Sequence, residues 1–76
     1  MKKIQLYGIG LKNAVQANEL QVGDVMIYNY GYTSTLTRIE KSESGKIIYY
    51  TVLFDGKYYD RRTTATRLFA IERVNN

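Results

Sequence analysis

The sequence predicts an all-β domain, a small barrel or roll of five to six strands with at most one short helical turn. Three observations predict it. Residues 25–32 alternate Val25, Ile27, Asn29 and Gly31 against Met26, Tyr28, Tyr30 and Tyr32, the period of two expected of a strand. Further runs rich in β-branched and aromatic residues recur about every ten residues, separated by turns that contain glycine. Asp55-Gly56 sits between two such runs and is the strongest hairpin signal in the chain.

Taken in order, Ile4 and Leu6 suggest an opening strand over residues 3–8. The segment from Asn13 to Leu20 reads as extended or as a single helical turn, with Val15 and Leu20 closing one end of the core. Gly23-Asp24 is a turn that feeds the alternating run 25–32. In that run the Tyr face is expected to be open, leaving Val25 and Ile27 for the core. Leu36 and Ile39 lie three apart on the returning strand, where regular alternation would send them to opposite faces, so a β-bulge or a strong twist is expected between them. Ser42 to Gly45 is a turn, and Ile47 to Phe54 is apolar on both faces, as a central strand covered on both sides would be. After the Asp55-Gly56 hairpin, residues 57–63 form a polar strand suited to an edge. Residues 64–66 make a short turn before a last strand from Arg67 to Val74.

The 76 residues make one domain, with the barrel core over about 19–74. There is no Cys and no His, so disulfides, thiolate metal sites and the usual imidazole ligands are excluded, and no metal or cofactor is expected. The same absences remove the imidazole base and the thiolate nucleophile, the commonest acid–base and covalent machinery. The seven carboxylates show no close pair of a catalytic kind. A non-enzymatic protein without catalytic residues is therefore expected. No run approaches the about 20 apolar residues of a membrane helix. Lys2-Lys3 followed by Ile4 to Leu11 has the outline of a secretory signal, but Gln5, Gly8 and Gly10 interrupt it, so a cytoplasmic location and no membrane contact are expected.

The order of elements resembles the SH3-like small barrels of translation-associated and phage or mobile-element proteins. Glu19-Leu20-x-Val22-Gly23-Asp24-Val25 and the strand ending Arg38-Ile39-Glu40 look like the first hairpin of that fold. Residues 64–66 are similar to its one-turn helix before the final strand. The resemblance spans about residues 19–74 and implies a fold suited to binding. It transfers no functional residue.

The net charge of +4 is unevenly spread, with excess cations over residues 1–12 and 46–76 and excess acid between them. A basic C-terminal half fits a polyanion, and equally a solvated surface that keeps a small protein in solution. The eight Tyr include Tyr28/Tyr30/Tyr32, Tyr49/Tyr50 and Tyr58/Tyr59. Tyrosines can cap a small core with the ring buried and the hydroxyl wet. They also stack on nucleobases while Arg or Lys holds the phosphates. The candidate binding residues are accordingly Tyr28, Tyr30, Tyr32, Arg38, Tyr59, Arg61, Arg62 and Arg67. Of Arg61 and Arg62 only one can face a given ligand, and Arg62 can equally pair with Asp60 on the strand surface. Ser34 and the threonines read as β-formers on an exposed sheet. The expected partner is single-stranded nucleic acid or RNA. The alternative is a protein-interaction module acting on a host or virion protein, with a homodimer through the Ile47–Phe54 strand as a further option.

Overall fold

The computed structural model describes residues 2–73. Its strands are β1 (Lys2–Leu6), β2 (Gly10–Gln16), β3 (Val25–Ile27), β4 (Thr33–Lys41), β5 (Ile47–Phe54), β6 (Lys57–Thr64) and β7 (Leu68–Glu72). All pair antiparallel in one open sheet of order β1-β2-β7-β3-β4-β5-β6. The chain is all-β as expected, but the strand count is seven rather than five to six. Two 3-10 turns, Ala17–Glu19 and Asn29–Gly31, replace the single helical turn expected. Residues 64–67 form only a turn, closed by the Arg67 N–H donating to the Thr64 carbonyl at 3.2 Å.

Short-range chemistry sets the hairpins. Asp55 and Gly56 both take positive φ, 50° and 75°, the backbone of a primed two-residue turn, and β5 pairs with β6 from Phe54↔Lys57 to Ile47↔Thr64. The bulge between Leu36 and Ile39 is present: the β4–β5 register shifts between Leu36 and Arg38. Thr37 is the extra residue, and its hydroxyl donates to the Thr51 carbonyl at 3.1 Å. Leu36 is thereby fully buried, and Ile39 packs against the same cluster.

The main core joins Leu20, Met26, Leu36, Ile48, Val52 and Ile71 on one face of the curled sheet, with Val15 beside them. Burying each large apolar side chain stabilises the fold by about 1.5–3 kcal/mol. Backbone bonds hold the curl. The Ala17 N–H donates to the Arg67 carbonyl at 2.8 Å, and the Ala65 N–H to the Lys46 carbonyl at 2.9 Å. A second, smaller cluster of Leu6, Ile27 and Ala70 lies on the other face of β3 and β7.

Two expectations about faces are overturned. β5 buries Ile48, Tyr50 and Val52, while Ile47, Tyr49, Thr51 and Leu53 stay partly or fully exposed, so it is covered on one side only. Residues 25–32 are not one strand, and Met26 from the supposed Tyr face is the fully buried core residue. β3 stops at Ile27 because the β1–β2 turn grips Asn29 and Tyr30. The Tyr30 N–H donates to the Tyr7 carbonyl at 2.6 Å, and the Tyr7 N–H donates to Asn29 Oδ1 at 2.9 Å. Tyr30 is held at φ 65°, a left-handed conformation uncommon outside glycine, which breaks the alternation.

The turn before β3 does more than bend the chain. Asp24 is 1% exposed, and its carboxylate accepts from Arg73 Nε and Nη2, each at 2.8 Å, and from the Gln21 N–H at 2.8 Å. Arg73 also donates to the Glu19 carbonyl at 3.1 Å, so one guanidinium ties the end of the final strand to the entry of β3.

Candidate functional site

The core does not fill the whole concave face. Beyond Leu36 and Ile48 the face opens into a groove of about 610 Å3. Its floor is Tyr50 and Val52 of β5 with Phe69 of β7, and Phe54 continues it toward the hairpin end. Tyr59 and Arg61 of β6 sit directly opposite Val52 and Tyr50 in the β5–β6 register, so the pleat turns both toward this floor.

The other wall comes from the β3–β4 hairpin. Tyr28 and Tyr32 are joined across its end, the Tyr28 N–H donating to the Tyr32 carbonyl at 2.7 Å. Both keep the parity of the core-facing pair Met26 and Ser34 and so prolong the core face into solvent. The Tyr28 hydroxyl and Ser34 Oγ share a hydrogen bond of 2.7 Å. Ser34 is 3% exposed, a buried wall residue rather than the exposed β-former expected.

The aromatic rings touch in sequence. Tyr50 meets Phe69 edge-on with ring centres 5.9 Å apart, and Phe54 meets Tyr59 at 6.5 Å. The Arg67 guanidinium lies 5.2 Å from the centre of the Phe69 ring, and that of Arg61 lies 5.2 Å from the centre of the Tyr59 ring. Such cation–π contacts pre-orient both groups at the rim. Burial raises the Tyr50 phenol above its ordinary pKa, and neighbouring Tyr28 adds to the effect while Arg67 and Arg61 oppose it.

Among the described residues no carboxylate lines the groove, and Arg61, Arg62 and Arg67 form no salt bridge. The Asp60 carboxylate accepts from Thr51 Oγ1 at 2.7 Å, so the alternative Asp60–Arg62 ion pair does not form. Arg62 borders the groove from the edge strand, although alternation aims it opposite to Arg61.

Of the eight residues predicted from sequence, the fold brings six to the groove: Tyr28, Tyr32, Tyr59, Arg61, Arg62 and Arg67. Tyr30 is not among them, because its backbone is bonded to Tyr7 and its ring lies against Gly8. Arg38 is not among them either. The bulge that turns Ile39 inward turns Arg38 outward, where it pairs with Glu40. Sequence reasoning misses Ser34, Phe54 and Phe69, while Tyr50 both belongs to the buried core and forms part of the groove floor. The signal for Tyr50 and Phe54 is there, since both share the parity of Ile48 and Val52 across a tight hairpin from Tyr59 and Arg61.

A second depression of about 620 Å3 is lined by Lys2, Ala14, Val15, Glu19 and Arg73, but its guanidinium is already committed to Asp24. Among the described residues no group of three acidic side chains is placed to hold a metal ion, and no helix is long and apolar enough to cross a membrane. No family model, curated protein or solved structure matches this chain.

Proposed function

We propose that this chain is a non-enzymatic binding module that holds single-stranded nucleic acid, DNA or RNA, in the Tyr/Arg groove. One observation carries the reading: a single groove gathers six aromatic residues and three arginines, and among the described residues none of the three forms a salt bridge and no carboxylate lines the groove. Unstacked bases offer flat faces to aromatic rings, each stack worth about 1–3 kcal/mol, while arginines take the phosphates. A duplex hides those faces, which favours a single strand. The β7-β3-β4-β5-β6 order supports an SH3-like barrel scaffold for the groove, extended by the β1–β2 hairpin.

The test is fluorescence anisotropy with labelled mixed-sequence DNA and RNA oligonucleotides at about 50 and about 200 mM salt. With Arg61 and Arg67 on phosphates, log K should fall against log salt with a slope of about −1.4, at about −0.7 per contact. Arg61→Ala and Arg67→Ala should weaken binding, whereas Lys3→Ala and Lys41→Ala, remote from the groove, should not. No binding at about 50 mM salt, or binding that ignores salt, overturns the proposal.

A different feature favours a protein partner. Among the described residues β6 pairs only with β5, so its outer edge, eight residues long, offers unpaired backbone beside exposed Tyr58, a template for an added strand. Affinity capture after nuclease treatment separates the two readings, because a protein held by that edge survives the nuclease.

A further inference from the structure

The groove's polar groups are not spread evenly. Tyr50 is only 8% exposed, yet among the described residues its hydroxyl has no hydrogen-bond partner. No buried side-chain oxygen or nitrogen of the described residues lacks a partner, so this hydroxyl is reached by solvent, and Tyr50 lines the groove. A phenol donor placed there, with no protein acceptor among the described residues, is free for water or for a ligand oxygen. Arg61 stands opposite Tyr50 in the strand register, with its Nη1 donating to the Asp60 carbonyl at 3.1 Å. Arg67 and Tyr50 both lie against the Phe69 ring. One hydroxyl and two guanidinium groups thus line the same groove, the donor types that a small oxyanion needs. Tyr32, 63% exposed, offers a ring to solvent on the facing wall.

We infer that the groove is built for one nucleotide unit, its phosphate held by Arg61, Arg67 and the Tyr50 hydroxyl and its base laid on Tyr32. This rests on the nucleic-acid reading and sharpens it. The volume of about 610 Å3 falls within the about 300–1,000 Å3 of sites that enclose a single small ligand. A planar base explains why an aromatic wall faces the cations, which a bare phosphate would not require. The same nucleoside phosphate chemistry can arrive free or as one link of a strand.

Calorimetry with uridine monophosphate, uridine and inorganic phosphate, run beside anisotropy with an oligouridylate decanucleotide, tests the inference. The monophosphate should bind and displace the decanucleotide, and uridine and phosphate should each bind more weakly. Tyr50→Phe keeps the ring and loses only the donor, and should weaken the monophosphate about tenfold, as expected for a hydrogen bond to a charged group. Tyr32→Leu, at an exposed position, should weaken the monophosphate and leave phosphate unchanged. Should Tyr50→Phe fold poorly, Arg67→Gln is the substitute, with the same tenfold loss expected.

If the decanucleotide binds but the monophosphate neither binds nor competes, the single-nucleotide site is overturned while the nucleic-acid reading stands. If the monophosphate binds with the expected sensitivity and the decanucleotide does not, the site stands for a free nucleotide and the strand reading falls. If phosphate binds as tightly as the monophosphate, the role given to Tyr32 is overturned. Binding of neither nucleotide nor strand removes both.

Discussion

Replacing Asp24 by Asn should cost this domain more stability than any other substitution of equal size. The carboxylate is 1% exposed and receives three hydrogen bonds, two from Arg73 and one from the Gln21 N–H. Asn keeps one acceptor oxygen, and in its better orientation this takes the place of Oδ2 while the NH2 group faces Arg73 Nε. At least one donor loses its partner, and the Arg73 charge is stranded. Removing one member of a buried ion pair costs about 3–5 kcal/mol. The Arg73 side chain is 26% exposed, so water can recover part of this and the lower end, about 3 kcal/mol, is expected. A domain this small loses about 4–8 °C per kcal/mol, which gives a fall of about 12–24 °C in Tm. Circular dichroism melts at neutral pH, supported by urea titration, read it directly. The double variant Asp24→Leu with Arg73→Met should recover much of the loss, since a buried pair is replaceable by apolar groups. An Asp24→Asn protein melting within a few degrees of the parent would refute the assignment of this pair as the tie between β3 and the end of β7.

The remaining predictions extend to acid, packing and the groove. Burial pushes the Asp24 carboxyl up, but hydrogen bonds from Arg73 and the Gln21 N–H, with the Arg73 charge, outweigh it and hold the folded value below the ordinary 3.8. Its stabilisation is therefore complete above about pH 4 and lost as pH falls through the folded value, so parent and Asp24→Asn melting curves should converge in strong acid. Leu36→Ala empties a fully buried position and should cost about 2–5 kcal/mol by urea denaturation. Gly8→Ala would place a methyl 2.9 Å from the Tyr30 ring at φ +84°, and should destabilise by about 1–2 kcal/mol while speeding exchange of the Tyr30 amide. Tyr32→Ala should weaken oligonucleotide binding by about 1–3 kcal/mol, whereas Tyr30→Ala should leave it unchanged in the same titration.

How much of the fold is legible in the sequence depends on how far apart the interacting residues lie. The Asp55-Gly56 turn and the bulge at Thr37 are decided by neighbouring residues, and both form as expected. β2 is not legible as a strand, because its partners are β1 and β7, at the two ends of the chain, and its own composition also suits a helical turn. Tyr30 leaves the expected face through a bond to Tyr7, and Asp24 finds Arg73 49 positions away. Neither contact has a local signature. Arg38 is instructive in another way: the bulge is legible, and the change of parity that carries Arg38 to the outer face is its direct consequence. Tyr59 and Arg61 reach the groove because simple alternation holds on β6, and Tyr28 because it keeps the parity of β3 one residue past its end.

The placement of charge matters more for function than its total. A net +4 on 76 residues is modest, and two guanidinium groups are already spent internally, Arg38 on Glu40 and Arg73 on Asp24. Asp60, the acid nearest in sequence to Arg61 and Arg62, turns its carboxylate to Thr51 instead. Three arginines without a carboxylate thus gather at the aromatic mouth of the concave face. Screening reaches about 10 Å at 0.1 M salt, so a ligand there responds to that local cluster and hardly to the distant lysines of β1. Charge reversal at Arg67 should therefore abolish oligonucleotide binding at low salt, while the same reversal at Lys3, which lowers the net charge equally, should leave it nearly intact. Equal losses from the two would mean that the net charge draws the ligand, and that the groove has no part in holding it.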